Sequence, residues 1–113
     1  MKLVTNVNKA PLLLLNSGQV INLNTLENTN DKYLIPVKAG RKVKISKHKN
    51  SKFLEKAAKI FSVSKVSKTY GTSWYKLESQ FVLFCSIQGE TVQLVGNYPI
   101  YYLKLIYRFV NSL

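Results

Sequence analysis

The sequence predicts a mainly β protein of the α+β class, folded as one small antiparallel β-barrel or sandwich with a single short helix. Three observations support this prediction. The chain has 113 residues, the length of one domain, and 46% of them are hydrophobic, which is enough to form a core without disulfides. Segments that alternate apolar and polar side chains follow one another through turn residues. Only residues 51–61 change to a helical period.

The first 35 residues are weakly patterned, and residues 1–30 either belong to the domain or form an extended N-terminal segment. The clearest strand there is QVINLN, while the polar stretch ENTNDK indicates a loop. YLIPV predicts a strand that Pro36 confines to a sheet edge or a strand end, because proline has no backbone N–H to donate. RKVKIS then alternates strictly, with its two lysines opposite Val43 and Ile45.

The segment SKFLEKAAKIF, residues 51–61, predicts a short amphipathic helix. Its apolar side chains fall on one helical face, while Lys52, Lys56 and Lys59 fall on the opposite face. Asn50, just before this segment, and Ser51, its first residue, are both of a type that can cap a helix N-terminus. We therefore expect about three helical turns that pack one face on the sheet.

Beyond this helix the sequence predicts strands. FSVSKVS, WYKLES, QFVLFCSI and ETVQLV are rich in aromatic and β-branched residues, with turns at YGTS, at Gln88–Gly89 and at GNYP. The run IYYLKLIYRFV, residues 100–110, fits a helix or a strand, and its composition favours a long strand. FVLFC at 81–85 has no alternation, so a helix or another chain must cover its second face.

The stretch YLIPVKAGRKVKI, followed later by GTSWYKL, resembles the strand pattern of bacterial SH3-type modules. The resemblance implies that the predicted barrel is SH3-like. It concerns the fold alone and implies no activity and no site residue.

Positive charge is concentrated in one segment of the chain. The formal net charge is +12, and residues 38–76 hold twelve basic residues against the single acid Glu55. The remaining residues carry five basic and four acidic side chains. A near-neutral body with one basic segment is typical of a surface that binds a polyanion. Lysine contacts phosphates as a point charge and does not read bases in a bidentate manner, so we expect low sequence specificity.

We therefore predict binding of DNA or RNA through this basic segment. Two aromatic residues that flank the GTS turn are candidates for stacking on bases. The alternative interpretation of the charge is a solvated surface that maintains solubility, and for the aromatic residues it is a place in the core. The candidate contact residues are Lys38, Arg41, Lys42, Lys44, Lys47, Lys49, Lys52, Lys56, Lys59, Lys65, Lys68, Tyr70 and Trp74.

No catalytic apparatus is expected, and no metal or cofactor. The single histidine, His48, lies in the loop-like stretch SKHKN, and Cys85 lies within an apolar strand, where a buried thiol is expected. The five carboxylates are scattered, and no phosphate-binding loop is present. A lone cysteine, no secretory signal and no run of about 20 apolar residues lead us to expect a cytoplasmic or virion location.

Three other functions stay open at this stage. The chain could be a structural subunit of a viral or phage particle or of a ribosome-like complex, self-associating or packing through apolar strands. It could be an inhibitor-type protein that docks on an acidic protein surface. It could also bind a membrane surface or an anionic cell wall peripherally. The sequence does not decide between DNA and RNA or between single and double strands.

Overall fold

The computed structural model describes residues 1–78 and 83–113, and its strands form two antiparallel sheets. The first, here the N-terminal sheet, has the strand order β4-β3-β2-β1-β5. Its strands are β1 (Lys2–Thr5), β2 (Pro11–Leu14), β3 (Val20–Asn22), β4 (Glu27–Thr29) and β5 (Ile35–Pro36). The segment 1–30 thus supplies four strands, including β4 within the stretch ENTNDK, for which we predicted a loop.

The second sheet, here the C-terminal sheet, has the order β6-β11-β10-β9-β8, and β7 also pairs with β11. Two helices complete the fold of the described residues. These elements are β6 (Val43–Lys44), β7 (His48–Lys49), α1 (Phe53–Ala57), β8 (Ser64–Thr69), β9 (Thr72–Lys76), β10 (Leu83–Gln88), β11 (Thr91–Gly96) and α2 (Ile100–Ser112). The mainly β class with a short helix is confirmed. Within the described residues neither sheet closes into a barrel, so the barrel and the likeness to SH3-type modules are not confirmed.

One hydrophobic core joins both sheets and both helices. On the inner face of the N-terminal sheet, Leu3 pairs with Leu13, and Leu13 pairs with Ile21. The C-terminal sheet contributes the paired residues Cys85 and Leu94, both fully buried. The opposite face of β1–β3 carries a smaller cluster of its own. The run PLLLL therefore does not alternate, because it is buried on both faces.

The β8–β9 hairpin turns through Tyr70 and Gly71, which have φ angles of 50° and 79°. Two successive positive φ angles in a two-residue loop match the right-handed twist of the flanking strands. Glycine adopts this conformation freely, whereas tyrosine pays a steric cost for it. The predicted YGTS turn is confirmed, with Tyr70 at its tip.

The C-terminal run is a helix, so the strand that we favoured over residues 100–110 is wrong. Leu103, Ile106 and Val110 are fully buried at spacings of three and four, while Lys104 and Arg108 are exposed four residues apart. That is the helical period, and packing of the apolar side against the core overrides the β propensity of the aromatic and β-branched residues. The helix contacts β6 and β11 on one side. On another side, the Tyr101 hydroxyl group and the Arg108 guanidinium group donate hydrogen bonds to Asn24 in the β3–β4 turn.

The helix predicted over 51–61 is present but shorter. Phe53, Ala57 and Phe61 are buried as expected, and the side chain of Asn50 accepts a hydrogen bond from the backbone N–H of Lys52. Regular α-helix ends at Ala57, after which backbone bonds between residues three apart tighten the chain into a last turn.

The predicted strand QFVLFCSI is present from Leu83 onward as β10. Its first three residues, Gln80, Phe81 and Val82, lie outside the described residues. The last two of them begin the non-alternating stretch 81–85.

Candidate nucleic-acid interface

The outer face of the C-terminal sheet is defined by its register. Trp74 on β9 lies opposite Ser86 on β10, and Ser86 lies opposite Gln93 on β11. Residues directly opposite one another in an antiparallel sheet share a face, and neighbours along a strand alternate. The adjacent row contains Cys85 and Leu94, which lie in the core. Trp74 therefore lies on the face that points away from the core.

Three lysines from three different strands share this outer face with Trp74. Lys44 on β6 pairs with Val95 of β11, two residues from Gln93 and therefore on the same side. Lys76 lies two residues after Trp74 on β9, and Lys49 on β7 pairs with Thr91 of β11. Lys44 and Lys49 are exposed, and Lys76 is half-buried. The alternation of each strand thus places these three ammonium groups on the same face of the sheet as the indole ring.

Trp74 also lines a surface pocket of about 300 Å³. The other described residues of this pocket are Lys42, Val66, Ser67 and Val95. A β-bulge between Lys65 and Ser67 leaves Val66 unpaired in the register and re-aims this part of the edge strand β8. The pocket therefore combines an indole ring and two valine side chains with one lysine. Below, the Trp74 face means the surface formed by Lys42, Lys44, Lys49, Val66, Trp74, Lys76 and Val95.

The other predicted contact residues lie elsewhere. Lys65 and Lys68 are exposed on β8 but pair with Tyr75 and Ser73, so they share the side of the sheet opposite Trp74. Tyr70, at the hairpin tip, is 97% exposed. The remaining exposed basic residues lie outside the strands, and they are Lys38, Arg41, Lys47, Lys52 and Lys59.

Lys56 is the predicted contact residue whose position differs most from the expectation. It is half-buried, and its Nζ donates a hydrogen bond of 2.9 Å to the backbone carbonyl oxygen of Asn111. That carbonyl belongs to the last turn of α2, where carbonyl groups have no partner within the helix. Lys56 therefore joins α1 to the C-terminal end of α2.

Two buried groups with raised pKa values lie close to the sheet. Burial raises the pKa of the Cys85 thiol to about 12. Burial, and then the negative charge of Glu78, raise the pKa of Tyr98 to about 12. Both groups are therefore neutral at physiological pH. In the part of the chain that the structure describes, no three histidine, cysteine or acidic side chains gather as metal ligands do.

Sequence reasoning missed three members of the Trp74 face. Lys76 could have been found, because it lies two residues after Trp74 in a predicted strand and so shares its face. Val66 and Val95 could not, because their positions depend on the bulge in β8 and on the pairing register of β11.

A scan against protein-family models, a search of curated proteins and a search of solved structures each found no match. Of the two helices in the described ranges 1–78 and 83–113, neither has the length and apolar character needed to cross a membrane. Function is therefore inferred from the geometry of this chain.

Proposed function

We propose that this protein is a non-catalytic binder of single-stranded nucleic acid with low sequence specificity, and that the strand lies on the Trp74 face. The observation that carries the proposal is the pocket in which the Trp74 ring, two valines and Lys42 come together. An unpaired base is a flat apolar ring attached to a charged phosphate, and this pocket offers an aromatic wall next to an ammonium group.

Single strands fit this surface better than duplexes. A base that stacks on an aromatic side chain gains about 1–3 kcal/mol, and every base has such a flat face, so the contact tolerates any sequence. In a duplex the bases are already stacked on one another, and their flat faces are not available to the indole ring. Lysines at the rim then contact the phosphates of the strand without reading its sequence.

The test uses the intrinsic fluorescence of Trp74, the only tryptophan of the chain. Single-stranded DNA and RNA should quench it saturably, and duplex DNA of the same length should bind more weakly. Each phosphate contact releases counterions, so log K should fall against log salt with a slope of about −3 if four lysines take part. Absence of binding at low salt, or tighter binding of the duplex, would contradict the proposal.

Variants separate the stacking contact from the charge. Trp74→Ala should weaken the binding of a labelled oligonucleotide by about 1–3 kcal/mol, measured by fluorescence anisotropy with folding checked by circular dichroism. Lys44→Gln should lower both the affinity and the steepness of the salt dependence. Lys32→Gln is the matched control, because Lys32 is also exposed but lies outside the basic segment. Equal effects of the two lysine variants would show that net charge matters and the Trp74 face does not.

The structural-subunit hypothesis loses one of its two supports. It rested on apolar strands that would pack against another chain, and one of these, the strand expected over 100–110, is α2, whose apolar side is buried in the protein's own core. The other is the stretch 81–85, part of which lies outside the described residues. Among the contacts of residues 1–78 and 83–113, none favours the inhibitor or the anionic-surface hypothesis over nucleic-acid binding.

A further inference from the structure

A second surface pocket, of about 330 Å³, lies between β7 and α2. Among the described residues it is lined by Ser46, His48, Lys104 and Tyr107. Ser46 lies in the connection between β6 and β7, and His48 is the first residue of β7. Lys104 and Tyr107 are three apart on α2 and therefore lie on one helical face. The segment 46–48 and the helix α2 each contribute two polar side chains to the same cavity.

The aromatic side chains of this pocket are held by the core. The Tyr107 ring stacks on the fully buried ring of Phe53, with centroids 5.4 Å apart and an interplanar angle of 15°. The imidazole of His48 lies 4.8 Å from the same Tyr107 ring. The backbone of His48 is in turn fixed by pairing with Val92 of β11. The ring positions are thus set by packing inside the protein, before any ligand binds.

The chemistry of the lining selects an anion. Lys104 offers an ammonium group, His48 an imidazole N–H, and Ser46 and Tyr107 one hydroxyl group each. None of the four is a carboxylate. Hydrogen bonds from such donors to a charged oxygen are stronger than bonds between neutral groups. The cavity is also larger than one phosphate group and leaves room for the organic group that carries it.

We propose that Ser46, His48, Lys104 and Tyr107 form a binding site for a phosphate monoester, separate from the Trp74 face. Two sources share this chemistry, namely the terminal phosphate of a nucleic-acid strand and a free mononucleotide or other small phosphorylated molecule. The site does not depend on the proposed stacking at Trp74, and it can be tested without nucleic acid.

The experiment uses the fact that His48 is the only histidine of the chain. Its imidazole proton signals are followed by NMR while inorganic phosphate replaces chloride at constant pH and ionic strength. The signals should shift saturably, whereas Trp74 fluorescence should stay unchanged. Lys104→Gln and Tyr107→Phe should each weaken phosphate binding by about three- to tenfold. Tyr107→Phe keeps the ring that stacks on Phe53 and removes only the hydroxyl group, so folding is preserved.

Lys32→Gln again serves as the control, because it removes one positive charge, as Lys104→Gln does, at a position outside the site. A linear drift without saturation, or an equal loss of affinity in Lys32→Gln, would overturn the site. The two sources are then separated with 5′-phosphorylated and 5′-hydroxyl oligonucleotides and with a free mononucleotide. If the 5′-phosphorylated strand binds more tightly than the 5′-hydroxyl strand, and Lys104→Gln removes the difference, the ligand is the strand terminus. If only the mononucleotide binds saturably, the ligand is a small phosphorylated molecule. If none of these compounds shifts the His48 signals, the proposal is contradicted.

Discussion

Replacing Lys56 with methionine tests whether this lysine stabilises the fold or belongs to the nucleic-acid interface. In the structure its ammonium group donates to the carbonyl oxygen of Asn111 in the last turn of α2. The last carbonyl groups of a helix carry the negative end of the helix dipole, so a cation placed there is favourable. We therefore expect Lys56→Met to lower the free energy of unfolding and to leave nucleic-acid affinity unchanged.

The magnitude follows from the contact. A hydrogen bond to a charged group contributes about 1.5–3 kcal/mol net, and partial exposure of Lys56 to water reduces this to about 1–2 kcal/mol. Methionine retains most of the aliphatic stem, so loss of packing adds little. For a domain of this size, each kcal/mol corresponds to roughly 4 °C in Tm, and the expected fall is about 4–8 °C.

The assay is urea unfolding followed by Trp74 fluorescence, with oligonucleotide anisotropy measured on the same samples. Lys52→Met is the matched control, because Lys52 is exposed, lies one helical turn earlier and carries the same charge. It corrects for the relief of charge repulsion in a protein with a net charge of +12. A difference between the two variants below about 0.5 kcal/mol would refute the capping role. A larger loss of affinity in Lys56→Met would place this lysine in the interface.

Two further predictions concern the core. Ile106→Ala should destabilise the protein by about 2–5 kcal/mol in urea unfolding, because Ile106 is fully buried, whereas Tyr101→Ala, at an exposed position, should cost much less. Equal losses would contradict the helical register of α2. Stability should also fall at alkaline pH. The pKa values of Cys85 and Tyr98 are raised from 9.0 and 10.0 to about 12, so the folded state holds these protons more tightly than the unfolded state. The contribution of the two groups is complete below about pH 9 and is lost as the pH rises towards 12, by up to about 1.4 kcal/mol per pH unit for each group. Tm measured between about pH 8 and 11 should fall less steeply in Cys85→Ala, and an identical pH dependence in this variant would contradict the cause given for Cys85.

The strands that could be predicted from the sequence are those with one buried face. Val43 and Ile45 point inward and their neighbouring lysines outward, as the alternation in RKVKIS indicates. The N-terminal sheet was largely missed for the opposite reason, since β2 buries Leu12 in one apolar cluster and Leu13 in another. A strand that is buried on both faces has no period to detect.

The C-terminal helix was missed because two signals conflicted. Its aromatic and β-branched residues favour a strand, while the spacing of Lys104 and Arg108 favours a helix. The spacing was the better guide, since it reports which side faces water, whereas propensity is readily overridden by packing. The role of Lys56 could not be predicted either, because it requires that α2 be a helix and end beside α1.

The sequence predicted only part of the candidate site. Trp74 and Lys44 could be named from composition and alternation, but their membership of one face depends on the pairing of β6, β11, β10 and β9. Long-range register is decided by the folded sheet and leaves no trace in a single segment of sequence.

The structure divides the charge of the basic segment, which in the sequence suggests one continuous cationic surface. Lys65 and Lys68 lie on the side of the sheet opposite Trp74, and Lys56 is engaged at a helix end. Five other basic residues lie outside the strands, and the Trp74 face carries four lysines, Lys42, Lys44, Lys49 and Lys76. Four phosphate contacts give a slope of log K against log salt of about −3, whereas twelve would give about −8. The measured slope consequently distinguishes binding at a defined face from diffuse attraction to the whole segment, which net charge alone cannot do.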